Sequence, residues 1–262
     1  MELRPLSPFG AEITQFDIST ASEAEVKTFR HTLANHGVAV IRHQHGSDAE
    51  FAAFLQRLGP LTFTVGETPV ASQPSLNLVS NVGRKRPPRS VFHTDTSYVR
   101  QPPAYTALRA VVLPKAGGET LFSDQYRAYE TLPDAVKVQL SQAKVLHVVT
   151  GLTLEGSAEQ QSWHPLFRQH PISGRVALYL STPERCQALS GFDGGASERI
   201  IRLLYQHSIR SRRLYRHQWK SGDMVIWDDR CTMHRADHSA VVGDRILHRG
   251  LVAGEAPIAA LP

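Results

Sequence analysis

"VFHTDTSYV", residues 91–99, has the β-branched and aromatic content of a strand, and it carries His93 and Asp95 two residues apart. Strand side chains alternate between faces, so on that reading His93 and Asp95 point to one side and Thr94 to the other. An imidazole and a carboxylate on one face can reach a single metal ion. The plainer reading is a half-buried histidine followed by a turn aspartate, because with 13 histidines in 262 residues an H-x-D pair arises readily by chance. The rest of the chain has to decide.

The surrounding texture is β-rich. From "SLNLVS" onward come "SVFHTD", "YTALRAVVL", "ETLFS", "KVLHVV", "RVALYLS", "RLYRHQW", "DMVIWD" and "RILHRGLV", divided by Gly and Pro. Without a helix between each pair, such spacing predicts antiparallel strands in a sandwich or jelly roll rather than a parallel sheet. Two helical insertions interrupt it, "DQYRAYETLPDAVKVQLSQ" and "SERIIRLLYQHSI". Ahead of the β-rich part, two helices flank the strand "VAVIR". In each, a serine and a glutamate three residues on form a capping box, Ser22 with Glu25 and Ser47 with Glu50. The expected architecture is mainly β with flanking helices, one domain spanning 1–262.

A metal held by His93 and Asp95 needs a donor from a distant strand. "GDMVIWDDRCTMHRADH", residues 222–238, offers His234 just after a strand and a turn, with His238 as the competitor farther into a polar connection. The strand "RILHRGLV" then places Arg245 and Arg249 four apart on one face, with Leu247 between them. Two same-facing arginines on a core strand are expensive unless each meets an anion; the bland alternative is an edge strand whose arginines reach water. Two histidines and one carboxylate with open positions suit non-haem Fe(II), and a guanidinium fork suits a carboxylate. The combination points to a metal together with a dicarboxylate.

Composition excludes several classes. The two cysteines, Cys186 and Cys231, cannot build a disulfide framework or a thiolate cluster. No apolar run is long enough to cross a bilayer, and the N-terminus lacks the pattern of a signal peptide, so no membrane association and a cytoplasmic location are expected. The net charge of +5 is modest and favours anionic small molecules or weak polyanion contact. The densest basic run, "RKRPPR" at 84–89, is a solvated loop or an attractor for an anionic substrate rather than a broad nucleic-acid stripe.

Longer stretches carry a resemblance. "HGVAVIRHQ", "FHTDTSYVRQPPAYTALRAVVLPKAGGETLFSDQYRAYETLP", "WHPLFRQHPISGRVALYLS" and "YRHQWKSGDMVIWDDRCTMHRA" are similar, in order, to the motifs of the TauD/TfdA family of Fe(II)- and 2-oxoglutarate-dependent dioxygenases. The resemblance covers most of the chain and implies a double-stranded β-helix. It implies His93, Asp95 and His234 as iron ligands, Thr120 and Arg245 as the holders of 2-oxoglutarate, and Arg249 as the partner of the substrate's anionic group. It also implies O2 as cosubstrate, succinate and CO2 as products, and hydroxylation of an unactivated carbon of a small organic acid. Desaturation or another tailoring step on a natural-product precursor is the alternative outcome of the same chemistry. A metal-binding jelly-roll module without turnover, and a zinc hydrolase with no use for the arginine pair, are the readings from other classes. Dimers or tetramers are common among relatives.

Three positions depart from the family pattern or bear on the substrate. Asp229 stands where Asn is usual, exchanging an amide for a carboxyl close to the third ligand. Thr96 follows Asp95 where several relatives carry an apolar side chain. Arg89 takes a place that is a neutral amide in taurine dioxygenase, and 62–92 contains no histidine matching the sulfonate-binding one of that enzyme. Arg89, Thr96 and Arg249 are therefore the expected substrate contacts, and taurine itself is disfavoured.

Overall fold

The structure is a computed structural model that describes residues 1–64, 66–84, 90–151 and 158–261. The chain opens with β1 (Glu2–Pro5) and β2 (Ala11–Thr14), then α1 (Glu23–His36), β3 (Val38–Ile41) and α2 (Asp48–Leu58). Next come β4 (Leu61–Thr62), β5 (Pro69–Val70), β6 (Gln73–Ser80), β7 (Tyr105–Val112) and β8 (Thr120–Asp124). Helices α3 (Gln125–Glu130) and α4 (Asp134–Leu140) lead to β9 (Lys144–Val148), β10 (Gln161–Pro165), β11 (Phe167–Gln169), β12 (Val176–Leu178) and β13 (Cys186–Leu189). After α5 (Gly194–Ser208) follow β14 (Leu214–His217), β15 (Met224–Asp228), β16 (Thr232–Ala236), β17 (Ile246–Val252) and β18 (Ile258–Ala259).

Both capping boxes form: Ser22 and Ser47 accept from the backbone N–H of Glu25 and Glu50, whose carboxylates return to the serine N–H groups. Each box stabilises its helix start by about 1 kcal/mol. The helical stretch at 125–140 is two helices rather than one, because Pro133 fixes an extended turn between them. β1 and β2, short and outside the β-rich region, were not expected from the sequence.

The large sheet runs β1-β2-β3-β15-β7-β17-β6-β5, with β4 also on β17. Its pairs are antiparallel except β2 with β3. Alternation along β3 and β15 divides its two faces. Ala39, Ile41, Met224 and Ile226 pack with Phe29, Leu33, Phe51 and Leu55 of α1 and α2. Val38, Val40, Val225 and Trp227 face the other way, onto Phe122 and Tyr215 of the small sheet β14-β8-β16. Both faces of the central strands are thus buried, which is why those strands read as nearly continuous hydrophobic runs. α2 lies so close to β17 that a Cβ on Gly250 would fall 2.2 Å from Leu55 Cδ1. The space between the two sheets holds the chemistry-bearing side chains.

Candidate active site

His234 lies on β16, and its backbone exchanges both hydrogen bonds with that of His93, 3.0 Å each. This single bridge is all the strand pairing that 91–99 makes. The expected strand is therefore corrected to a bridge followed by a turn. Thr94 explains the change: its hydroxyl donates to Leu180 O at 2.8 Å and its N–H to Ser181 Oγ, tying the backbone away from a neighbouring strand. Thr96 then takes φ 45°, a left-handed conformation uncommon for a β-branched residue, and turns the chain.

The turn still brings the three groups together. His93 Nε2 lies 3.4 Å from Asp95 Oδ1 and His234 Nε2 3.9 Å from Asp95 Oδ2. One donor atom of each lies within 4.8 Å of the other two. His93 Nδ1 is 2.9 Å from Val91 O, a contact that places its proton on Nδ1 and leaves the Nε2 lone pair directed at the cluster.

Burial pushes His234 down to about 3, so this imidazole is neutral at physiological pH. Burial alone would raise Asp95, but the charge of His234 in its protonated form, present only at low pH, and the Arg249 guanidinium outweigh it and hold the carboxyl well below its usual range. A neutral imidazole beside an ionised carboxylate is the protonation state that a divalent metal requires. Behind the cluster, Thr106 Oγ1 lies 3.1 Å from Asp95 Oδ2 and 2.6 Å from Asp229 Oδ2. One hydroxyl proton cannot serve two carboxylates. Burial and the Asp95 charge push Asp229 well above the usual range, so it keeps its own proton for Thr106, while Trp227 Nε1 donates to its other oxygen at 3.0 Å. A protonated Asp229 can thus donate as an amide would.

The two arginines differ sharply. Arg245 sits one residue ahead of β17 and is 2% exposed. Its Nε donates to Gly118 O at 2.9 Å, and Nη2 lies 3.5 Å from Thr120 Oγ1. Gly118 has φ +77°, and a Cβ there would lie 2.9 Å from Arg245 Cδ, so glycine is needed for this approach. No carboxylate among the described residues pairs with Arg245, and burial alone lowers it to about 10. Thr120 receives the Trp219 indole N–H at 3.0 Å. Arg and Trp only donate, so the Thr120 hydroxyl accepts from both sides and its proton is left for an acceptor between the sheets.

Arg249, on β17, is an ion-paired residue instead. Nη2 bonds Glu67, which lies on the turn between β4 and β5, and Nη1 is 3.7 Å from Asp95 Oδ1. Next to Asp95, Thr96 joins Phe63, Thr64, Tyr98, Val99 and Leu251 in lining a cavity of about 220 Å³. That cavity is mainly apolar, and its wall includes Thr96, the residue that follows Asp95 in the chain.

Of the residues singled out in the sequence, His93, Asp95, His234, Thr120, Arg245, Arg249 and Thr96 thus gather between the sheets, while Arg89 lies outside the described residues. His238, the competitor, is not in the cluster. Glu67, Thr106 and Trp219 were missed. Trp219 stands inside a quoted motif, but nothing in its spacing connects it to Thr120.

The model of the family described as "Taurine catabolism dioxygenase TauD, TfdA family" matches residues 2–251. The chain is 29% identical to an alpha-ketoglutarate-dependent 2,4-dichlorophenoxyacetate dioxygenase from Cupriavidus pinatubonensis, over 97% of this chain and 98% of that one. It is 28% identical to an alpha-ketoglutarate-dependent sulfate ester dioxygenase from Pseudomonas putida, over 95% and 88%. Among solved structures, a taurine dioxygenase from Burkholderia xenovorans superposes with a TM-score of 0.87 at 28% identity, covering 98% of this chain and 92% of the other. AAD-2 in complex with Mn(II) and N-oxalylglycine gives 0.86 at 26% identity, covering 98% of both. The facing sheets are accordingly a double-stranded β-helix, and the chain belongs to the TauD/TfdA family of Fe(II)- and 2-oxoglutarate-dependent dioxygenases.

Proposed function

We propose that this enzyme uses His93, Asp95 and His234 to hold Fe(II), Arg245 and Thr120 to hold the distal carboxylate of 2-oxoglutarate, and Arg249 to hold the acid group of a small organic substrate that is then hydroxylated. The observation that carries the reading is Arg245, a buried guanidinium without a carboxylate partner beside a hydroxyl whose proton needs an acceptor. A dicarboxylate end answers both needs. The match over 2–251 supports one domain acting as a unit.

The donor set fits the metal. Two imidazole nitrogens and one carboxylate oxygen converge, and the Nδ1 contact of His93 and the Thr106 hydrogen bond to Asp95 orient their donors. Bound Fe(II), with 2-oxoglutarate and O2, supplies the oxidation: one oxygen atom goes into succinate as CO2 leaves, and the other goes into a substrate C–H bond. The protein's part is positional. Arg245 and Thr120 fix the cosubstrate's far end, Arg249 fixes the substrate's acid, and the apolar cavity beside Thr96 accepts its carbon body and keeps water away. Relatives named for phenoxy acids and sulfate esters support an acidic substrate with an organic body.

The test is anaerobic addition of Fe(II) and 2-oxoglutarate to the apoprotein, followed by the visible metal-to-ligand charge-transfer band. The expected band requires both additions and is lost in His93→Ala. Iron binding to folded protein without that band would instead favour a ligand-binding module.

A further inference from the structure

We propose that the acid-binding end of the substrate pocket is Arg249 together with Asn77, and that Glu67 stands in for the substrate's acid group until the substrate arrives. The proposal rests on the reading of Arg249 as the substrate's anchor, and deepens it by adding a specificity-determining amide and a resident competitor.

Asn77 pairs with Arg249 in the β6–β17 register. Directly paired residues project to the same face of a sheet. That face is the inner one: Val79, Leu108 and Leu247 on it pack between the sheets, and Thr106 on it reaches Asp95. The neighbours Leu76 and Leu78 face the helices instead. Asn77 is fully buried, yet among the described residues neither Nδ2 nor Oδ1 has a partner, and Nε of the paired Arg249 also lacks one. Buried amides are normally bonded, and a leucine would fill this inner position without any such requirement. Three buried polar atoms without partners, on two paired residues of the inner face, are the signature of a site made for a polar ligand.

Glu67 answers only part of that demand. Its carboxylate pairs with Arg249 Nη2 but leaves Arg249 Nε and the Asn77 amide without partners. Its side chain is 31% exposed, so it can return to water. A carboxylate or sulfate ester from the substrate brings two or more acceptor oxygens and can engage the guanidinium fork and the Asn77 N–H groups together. The incoming acid therefore makes contacts that Glu67 does not, and exchange is favourable. Acids too weakly held to displace Glu67 are rejected.

The test uses enzyme loaded anaerobically with Fe(II) and 2-oxoglutarate, with phenoxyacetate as the probe and its perturbation of the visible band as the readout, alongside thermal melting. Asn77→Leu should weaken phenoxyacetate about tenfold or more, leave 2-oxoglutarate affinity unchanged and keep or raise Tm. Asn77→Asp, which preserves volume and adds a negative charge, should weaken it further. Glu67→Gln should tighten phenoxyacetate about tenfold. A lower Tm in Asn77→Leu with phenoxyacetate affinity unchanged would make the amide a packing residue and overturn its role. No tightening in Glu67→Gln, including no binding to either form, would overturn the competitor. Absence of the band in unsubstituted protein would strike the dioxygenase site itself, a separate failure.

Discussion

Arg249 on β17 and Arg245 one residue ahead of that strand stand four residues apart, yet their surroundings are opposite in kind. Arg245 is buried with backbone and hydroxyl partners only, while Arg249 is clasped between Glu67 and Asp95. A buried unpaired guanidinium is costly to folding and pre-organised for an anion. A paired one is comfortable and must exchange partners. On the proposed assignment the cosubstrate site is thus open from the start, and the substrate site is guarded. This difference has physical causes in the neighbours: Gly118 and Thr120 offer Arg245 a carbonyl and a hydroxyl, whereas the turn after β4 presents Arg249 with a carboxylate.

The comparison breaks if exchanging the two losses gives the same phenotype. Arg245→Ala should weaken 2-oxoglutarate by at least about 30-fold, since losing one member of a buried charge pair costs roughly 2–5 kcal/mol. Arg249→Ala should leave the 2-oxoglutarate titration unchanged and raise KM for the organic acid instead. Equal effects of both on 2-oxoglutarate would merge the two sites into one. A smaller change sharpens the Arg245 half. Trp219→Phe removes the indole donor to Thr120, and a weakening of 2-oxoglutarate of about 3- to 10-fold, with the fold intact by circular dichroism, is expected for one hydrogen bond.

The smallest effect concerns a buried carboxyl. Asp229 is raised above its ordinary value of 3.8 by burial and by Asp95. A carboxyl raised on folding contributes stability that is complete below the unfolded value and is lost as pH rises towards the folded one. Asparagine has no such loss. In metal-free protein, Asp229→Asn should therefore melt higher than the parent at pH 7, by about 2–4 °C for ~1 kcal/mol in a chain of this size, and the gap should close towards pH 4. A constant gap would mean that Asp229 is ionised.

Much of this was legible in the chain because the signals were local. The two serine–glutamate boxes mark the starts of α1 and α2, and the unbroken apolar runs in "VAVIR" and "DMVIWD" mark β3 and β15. The longer motifs also held the metal-type residues, and the separate run "RILHRGLV" held the arginines. What could not be read depended on partners far away. "VFHTDTSYV" has strand composition, but Thr94 bonds to the 180–181 segment and Thr96 turns, so the convergence of His93 with Asp95 has a different cause from the expected pleat. Glu67 is one charge in a polar run until folding sets it on Arg249. Asn77, inside "SLNLVS", looks like an ordinary strand interruption until the register places it beside that same arginine.

β17, which carries Arg249 and is preceded directly by Arg245, is paired on its two sides, with β6 and with β7. Four residues of strand extend about 13 Å. β17 thus acts as a ruler: its hydrogen-bonded neighbours fix the backbone interval between the two arginines, the proposed anchoring points of cosubstrate and substrate, and no side-chain replacement elsewhere can stretch it. A shift in preference from short acids to long ones would have to come from the cavity wall at Phe63, Tyr98 and Leu251, which sets how far the substrate's body folds back towards the metal, while the interval on β17 stays as it is.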